Sequence, residues 1–234
     1  MKIVGIQKLT LLDYPGKMAC TVFLDGCNFR CPYCHNSQLL DSPEAIMTVE
    51  ELLAFLRKRR GLLEAVCITG GEPTLHPELP ELLRSIRALG YAMKLDTNGY
   101  RPRVLEAVLR EGLADYVAMD LKNGPGAYSA TVGLRETNLA AIEESIHLLR
   151  TLAPDYELRT TVVTGLHDED TMADMARWLL SITGEKGVKR LYLQPFVDRD
   201  TVPFGGFSAP DTAQLERFQR LLEPFAEELG IRGT

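Results

Sequence analysis

Three cysteines lie close together near the start of the chain and form its strongest chemical signal. Cys27, Cys31 and Cys34 are separated by three residues and then by two, directly after an apolar segment. A short loop with this spacing can direct three thiolates at one metal centre, and soft thiolates select zinc, copper(I) or iron–sulfur clusters. Three ligands to a four-iron cluster leave one iron open, and an open coordination position distinguishes a reactive site from a structural one.

Two other metal sites compete with this interpretation. A structural zinc ion normally takes four protein ligands; His35 can supply the fourth, but it directly follows Cys34 and brings no second ligand pair. Residues 31–35 also match the pattern for covalent haem attachment, although no export signal precedes them. Cys20 and Cys67 lie in predicted strands, where we expect small buried residues rather than ligands.

The elements that position this loop are predicted by hydrophobic periodicity, because short apolar segments alternate with longer amphipathic ones. The predicted strands are residues 18–25, 65–69, 91–96, 116–121, 156–163 and 190–194. The predicted helices are residues 48–60, 77–89, 103–111, 138–152, 168–182 and 212–229. Strands that alternate with helices run mostly parallel, in an open sheet or a partly closed barrel. Functional residues then belong at the carboxyl ends of the strands.

Polar residues and glycines follow three of these strands. Gly70 and Gly71 can let the backbone approach a ligand without a Cβ in the way, or they can form an ordinary turn. Glu72 is then an orienting acceptor or a residue that begins a helix. Asp96 and Asp120 end neighbouring strands, where their carboxylates can receive ribose hydroxyls or a cation.

Cationic and imidazole side chains complete the set of candidates. Lys122 and Arg159 can meet a ligand carboxylate, to which arginine offers planar bidentate geometry, or they can pair with the two strand-end aspartates. His76, His147 and His167 have no paired ligand in sequence, and we expect solvated or capping roles for them.

Composition excludes several classes of function. The formal net charge is -6, and the single basic run, residues 57–60, is placed to end a helix, so a general nucleic-acid binder is not expected. No stretch reaches the roughly 20 apolar residues of a membrane span. Three clustered cysteines among five do not resemble a secreted disulfide framework. We therefore expect a cytoplasmic protein with residues 1–234 in a single domain.

The cysteine loop resembles the signature of radical S-adenosylmethionine (radical SAM) enzymes, with Tyr33 as the aromatic residue before the last cysteine. Residues 70–73, Gly-Gly-Glu-Pro, resemble a second motif of that family. Residues 8–17, 96–99 and 120–122 extend the resemblance to the activating enzymes of glycyl-radical proteins, especially those for anaerobic ribonucleoside-triphosphate reductase. The resemblance implies an α/β fold, a partial (β/α)6 barrel.

The same resemblance implies an activity, cofactors and partners. The cofactors are a [4Fe-4S] cluster and S-adenosylmethionine, which is cleaved reductively to a 5'-deoxyadenosyl radical. That radical takes a hydrogen atom from a glycine of the partner, and anaerobic ribonucleotide reductase is the partner expected here. A flavodoxin- or ferredoxin-type protein supplies the electron, and neither a nucleic acid nor a membrane is involved.

The resemblance also implies the site residues. Cys27, Cys31 and Cys34 hold the cluster and are the catalytic residues. The remaining residues, expected around S-adenosylmethionine, are Tyr33, Gly70, Gly71, Glu72, Asp96, Thr97, Asn98, Asp120, Lys122 and Arg159. By similarity to pyruvate formate-lyase activating enzyme, Asp96, Thr97 and Asp120 form a monovalent cation site beside the carboxylate of the cofactor.

Three alternatives to the reductase activator remain. Pyruvate formate-lyase is another partner, but its activating enzyme has a histidine after the Pro-aromatic pair of the sixth strand, where residues 194–197 read Gln-Pro-Phe-Val. In the 7-carboxy-7-deazaguanine synthase group the last cysteine is typically followed by Asp-Thr, whereas His35 and Asn36 stand here. A non-catalytic zinc or cluster-binding module is the third. The loop 201–206 is a candidate lid.

Overall fold

The computed structural model describes residues 1–41 and 43–233, which contain one eight-stranded sheet. The strands follow one another across the sheet in sequence order. They are β1 (Ile3–Thr10), β2 (Ala19–Leu24), β3 (Ala65–Gly70), β4 (Ala92–Thr97), β5 (Tyr116–Asp120), β6 (Tyr156–Val162), β7 (Val188–Pro195) and β8 (Ala226–Ile231). β1 is antiparallel to β2, and all later neighbours are parallel. The edge strands β1 and β8 do not pair with each other, so the sheet is not closed and the predicted partial barrel is confirmed.

Helices connect the parallel strands, as right-handed crossovers require. They are α1 (Val49–Lys58), α2 (Leu79–Arg87), α3 (Pro102–Arg110), α4 (Pro125–Thr131), α5 (Leu139–Leu152), α6 (Glu169–Thr183) and α7 (Thr212–Leu222). The predicted start of α1 is confirmed, because the Thr48 hydroxyl accepts from the backbone N–H of Glu51 while the Glu51 carboxylate accepts from the N–H of Thr48. Among the described residues, no helix is long and apolar enough to cross a membrane.

Three elements differ from the sequence-based expectation. The predicted helix 212–229 is wrong beyond Leu222, because Pro224 lacks an N–H donor; a short 3-10 turn follows and then β8. No helix was predicted between residues 121 and 138, but Pro125 begins α4 there, a position that suits its fixed φ. β1 is an additional strand that pairs with the outer edge of β2.

The two faces of the sheet have different packing. The outer face and the helices bury a large apolar core, which includes Cys20. The inner face carries a smaller cluster in which alanines leave room beside Tyr14, Tyr116 and Cys67. Both strand cysteines are fully buried, which confirms the prediction made for them. Above the small residues of the inner face, the side chains become polar toward the carboxyl ends of the strands.

Candidate active site

The carboxyl ends of β2 to β7 surround a cavity of about 290 Å³. Every site residue predicted from the sequence lines it, and this includes the three cysteines, both glycines and the charged residues of β4, β5 and β6. The register explains part of the convergence, since Asp120 of β5 lies directly beside Arg159 of β6. Parallel strands end at the same edge of a sheet, so side chains distant in sequence meet there.

The cysteine loop is folded back on itself, and its three cysteines are half-buried. The N–H of Cys34 donates to the carbonyl of Cys31 at 3.1 Å, and the N–H of Phe29 donates to Sγ of Cys27 at 3.4 Å. Burial raises the pKa of the Cys27 thiol to about 12 and that of Cys31 to about 11. Ligation of a metal by these thiols must therefore be accompanied by release of their protons.

The two glycines after β3 are required by close contact with the cysteine loop. A Cβ on Gly71 would lie 1.8 Å from the carbonyl oxygen of Gly26, and one on Gly70 would lie 2.2 Å from that of Leu24. The N–H of Glu72 donates to the same Gly26 carbonyl at 2.8 Å. The glycines thus let two backbone segments come into contact. This contact alone explains why side chains larger than glycine are excluded at both positions, whether or not a ligand binds there.

Glu72 joins the ends of β3 and β4. Its buried carboxylate accepts from the Thr97 hydroxyl at 2.7 Å, from the N–H of Asn98 at 2.6 Å and from the N–H of Thr74 at 3.0 Å. It also begins the 3-10 helix Pro73–Leu75. Burial raises the pKa of Glu72 despite these donors. Of the two roles left open by the sequence, the structure places Glu72 at the helix start and adds a cross-strand link.

Five charged side chains form a network at the carboxyl ends of the strands, and all but Lys94 line the cavity. We call it the mouth network: Lys94, Asp96, Asp120, Lys122 and Arg159. Arg159 bridges the two aspartates, at 3.1 Å to Asp120 and 3.4 Å to Asp96. Lys122 pairs with Asp120 at 2.9 Å, and Lys94 pairs with Asp96. The ion pairs that the sequence left as an alternative are therefore present.

The mouth network carries one more cation than anions. Burial opposes ionisation of Asp120, but Lys122 and Arg159 outweigh it and lower the pKa of that carboxyl to about 2. The pKa of Asp96 is also lowered, because Arg159 and Lys94 outweigh burial. Both carboxylates thus remain charged beside three basic side chains, and the formal excess of one positive charge suits an anionic group of a ligand. Since both carboxylates already have cationic partners, the monovalent cation at Asp96, Thr97 and Asp120 stays a prediction.

The β7–α7 loop packs against the cysteine loop. His35 Nε2 bonds to the Val197 carbonyl at 2.6 Å, and the Ser37 hydroxyl donates to the Thr201 carbonyl at 2.5 Å. The His35 ring stacks on Phe196 with 5.3 Å between ring centroids. His35 is thus engaged with this loop, whereas closure of residues 201–206 as a lid stays a prediction.

Several site residues were missed or misjudged from the sequence. Lys94 was missed, although its position two residues before Asp96 in a strand puts both on the inner face. Asn28 was also missed, and nothing in the spacing marks it. His167 was expected to be solvated or capping, but it is buried; its Nδ1 accepts from the N–H of Val163, and its Nε2 bonds to the Lys122 carbonyl at 2.8 Å. His147 is exposed as expected.

Comparison with known proteins decides the family. A sequence profile described as "Radical SAM superfamily" matches residues 21–179, more than half of the chain. The chain belongs to the radical SAM superfamily. The match spans the cysteine loop and the ends of β3 to β6, which contribute most of the cavity. The chain is therefore an enzyme of the radical SAM type, a family that uses a [4Fe-4S] cluster and S-adenosylmethionine.

Two relatives resemble this radical SAM enzyme over nearly its whole length. A Methanocaldococcus jannaschii protein named "Putative glycyl-radical enzyme activating enzyme" is 32% identical over 98% of this chain and 95% of its own. The pyruvate formate-lyase 1-activating enzyme of Escherichia coli is 27% identical over 97% of each chain. A structure of TYW1 with a lysine-pyruvate adduct bound shares the fold, with a TM-score of 0.64 at 16% identity over 89% of this chain and 74% of that chain.

The residues present are suited to the two family cofactors. Thiolates are the usual ligands of iron–sulfur clusters, and the three thiols that could hold one, those of Cys27, Cys31 and Cys34, all line the cavity. Tyr33 lines the cavity, and its hydroxyl is buried without a protein partner. Such a group indicates a partner supplied by a ligand.

Proposed function

We propose that this protein generates a glycyl radical on a partner enzyme. The observation that carries the proposal is the near-complete mutual coverage of the chain and a relative named as a glycyl-radical enzyme activating enzyme. When bound, the cluster and S-adenosylmethionine supply the radical that takes a hydrogen atom from the partner glycine. The protein contributes binding, orientation and exclusion of water.

Each part of the site has a separate role in this proposal. Cys27, Cys31 and Cys34 hold the cluster and leave its fourth iron for the cofactor. The excess positive charge of the mouth network attracts the carboxylate of S-adenosylmethionine, and Arg159 orients it. Glu72 acts indirectly, because its hydrogen bonds fix the end of β4 against the cysteine loop.

For the partner we propose anaerobic ribonucleotide reductase, with the electron supplied by a flavodoxin- or ferredoxin-type protein. The sequence after β7 supports this choice, because the position occupied by histidine in the pyruvate formate-lyase activating enzyme is Val197 here. The Val197 side chain is 48% exposed and does not line the cavity. Pyruvate formate-lyase is the second candidate, favoured by the full-length similarity to its Escherichia coli activating enzyme.

The two partners can be compared directly. The protein is reconstituted with iron and sulfide without oxygen, reduced, and mixed with S-adenosylmethionine and either purified partner. We expect 5'-deoxyadenosine and a glycyl-radical signal in electron paramagnetic resonance with the reductase, and neither product with a Cys31→Ala variant. A signal on pyruvate formate-lyase alone would replace the proposed partner. Cofactor cleavage without a radical on either protein would instead indicate a different glycyl-radical partner or a small-molecule substrate.

A further inference from the structure

Asn98, in the loop after β4, holds its side-chain amide in one orientation. Its Oδ1 accepts from the N–H of Tyr100 at 3.0 Å, and its Nδ2 donates to Oδ1 of Asn28 at 2.9 Å. A backbone N–H can only donate, so the Tyr100 contact decides which end of the Asn98 amide is oxygen. The NH2 group of Asn98 therefore faces the cysteine loop.

The second N–H of this group meets a sulfur atom. Nδ2 of Asn98 lies 3.9 Å from Sγ of Cys27, within hydrogen-bond range for sulfur. Asn98 is 5% exposed, and its backbone N–H is held by the Glu72 carboxylate. Low local dielectric strengthens such a contact. A rigidly held, buried donor thus points at one of the three proposed cluster ligands.

The side-chain NH2 group of Asn28, in the cysteine loop, lacks a protein acceptor. Because Asn28 turns its Oδ1 toward Asn98, its own Nδ2 is buried with no protein acceptor. Unpaired buried donors are costly, so such a group indicates an acceptor that does not belong to the protein. The sulfurs of an iron–sulfur cluster are acceptors of this kind.

We propose that Asn98 raises the reduction potential of the cluster by donating a hydrogen bond to the Cys27 sulfur. Reduction adds one electron and increases the negative charge on the sulfurs, so a nearby N–H stabilises the reduced state more than the oxidised state. Asn98 is a positioning residue in this scheme, since it acts through Cys27. The inference rests on the proposed cluster ligation and does not depend on which partner is activated.

The first test is a redox titration of the reconstituted protein without S-adenosylmethionine. We expect Asn98→Leu to keep its iron content and to shift the midpoint to a lower potential. At a fixed ambient potential the ratio of reduced to oxidised cluster should fall roughly tenfold, about 59 mV for one electron. Asn138→Leu is the matched control, because Asn138 is exposed and makes no side-chain cap bond. An unchanged midpoint in a fully loaded Asn98→Leu protein overturns the proposal.

The second test needs no variant that could fail to assemble. Wild-type protein labelled with 15N only at asparagine side chains should show two 15N couplings in pulsed electron paramagnetic resonance of the reduced cluster, one from Asn98 and one from Asn28. Fewer than two couplings refutes the proposed arrangement of the amides even if Asn98→Leu loses its cluster. Failure of the proposed activating function is distinguishable, because it would leave the midpoint shift and the couplings intact while no glycyl radical forms.

Discussion

Two charged regions of the same sheet, the mouth network and a cluster near the amino ends of β6 and β7, use similar residues in different ways. The second region, the base cluster, consists of Asp155, Glu157, Lys189, Arg190, Glu228 and Arg232. Its three cations and three carboxylates pair at 2.6 to 3.1 Å. The base cluster is neutral, whereas the mouth network retains one positive charge.

Unpartnered groups are also found at the mouth. Among the described residues, four buried side-chain polar atoms have no protein partner. The Tyr33 hydroxyl, Asn28 Nδ2 and the Thr201 hydroxyl belong to loops at the carboxyl ends of the strands, and the Tyr128 hydroxyl belongs to α4, which follows β5. Native proteins rarely leave buried polar atoms unpaired. The comparison teaches that charge alone does not mark the site. The excess positive charge and the unpaired polar groups together distinguish the mouth, a binding region, from the base cluster, whose charges pair with one another and only stabilise the fold.

The largest expected effect comes from the cysteines at the mouth. We expect Cys27→Ala, Cys31→Ala or Cys34→Ala to abolish formation of the [4Fe-4S] cluster and cleavage of S-adenosylmethionine, because each removes one of three ligands. Iron and sulfide analysis and 5'-deoxyadenosine assays measure both losses. Cys20→Ala is the matched control, since Cys20 packs in the outer core. Full cluster content in any of the three variants would contradict the ligand assignment.

The next largest effect is the loss of stability when an arginine is replaced, Arg159 in the mouth network or Arg190 in the base cluster. Arg159→Leu removes one of the two cationic partners of each half-buried carboxylate, Asp96 and Asp120, and should lower the free energy of unfolding by about 2–3 kcal/mol. It should also weaken S-adenosylmethionine binding. Arg190→Leu at the base, where the partners Asp155 and Glu228 are 33% and 57% exposed, should cost only about 1 kcal/mol. Urea unfolding of both variants checks this order, and equal losses would remove the distinction between the regions.

Two glycines, Gly71 beside the cysteine loop and Gly16 in the β1–β2 turn, differ in how much room surrounds them. Gly71→Ala should destabilise the protein by about 1–3 kcal/mol and lower cluster occupancy, because the added Cβ meets the Gly26 carbonyl. Gly16, in the β1–β2 turn, has a φ of 71° but no atom near an added Cβ. Gly16→Ala should therefore cost only about 1 kcal/mol, from backbone strain. If Gly71→Ala binds iron normally, the close contact does not matter for the cluster.

The smallest effect is a dependence of stability on acidity. The pKa of Asp120 falls from its ordinary 3.8 to about 2 in the folded protein. A lowered pKa means that this stabilisation is complete above the unfolded value and is lost as the pH falls from about 4 through 2. Asp120 is 31% exposed, so solvent screening reduces the effect. As the pH falls from about 4 to 2, metal-free wild type should therefore lose about 1 kcal/mol more of its free energy of unfolding than Asp120→Asn does. An identical pH profile in wild type and variant would argue against the ion pairs.

The sequence predicted the six central strands and nearly all of their following helices, because buried strands and amphipathic helices have distinct periods. It failed at β8, where an amphipathic pattern continues past Leu222 although Pro224 marks the end of the helix. Glu72 shows a different limit. The sequence left two roles open, since its partners Thr97 and Asn98 lie 25 and 26 residues away.

By itself the sequence determined the cysteine loop, the α/β class and the family, because ligand spacing and hydrophobic period are local properties of the chain. Only the tertiary structure decided how the strand-end residues are paired. Arg159 meets Asp96 and Asp120 across 63 and 39 residues, and Asn98 reaches Cys27 across 71. Such contacts depend on strand register and on the direction of each side chain, which are set when the sheet assembles.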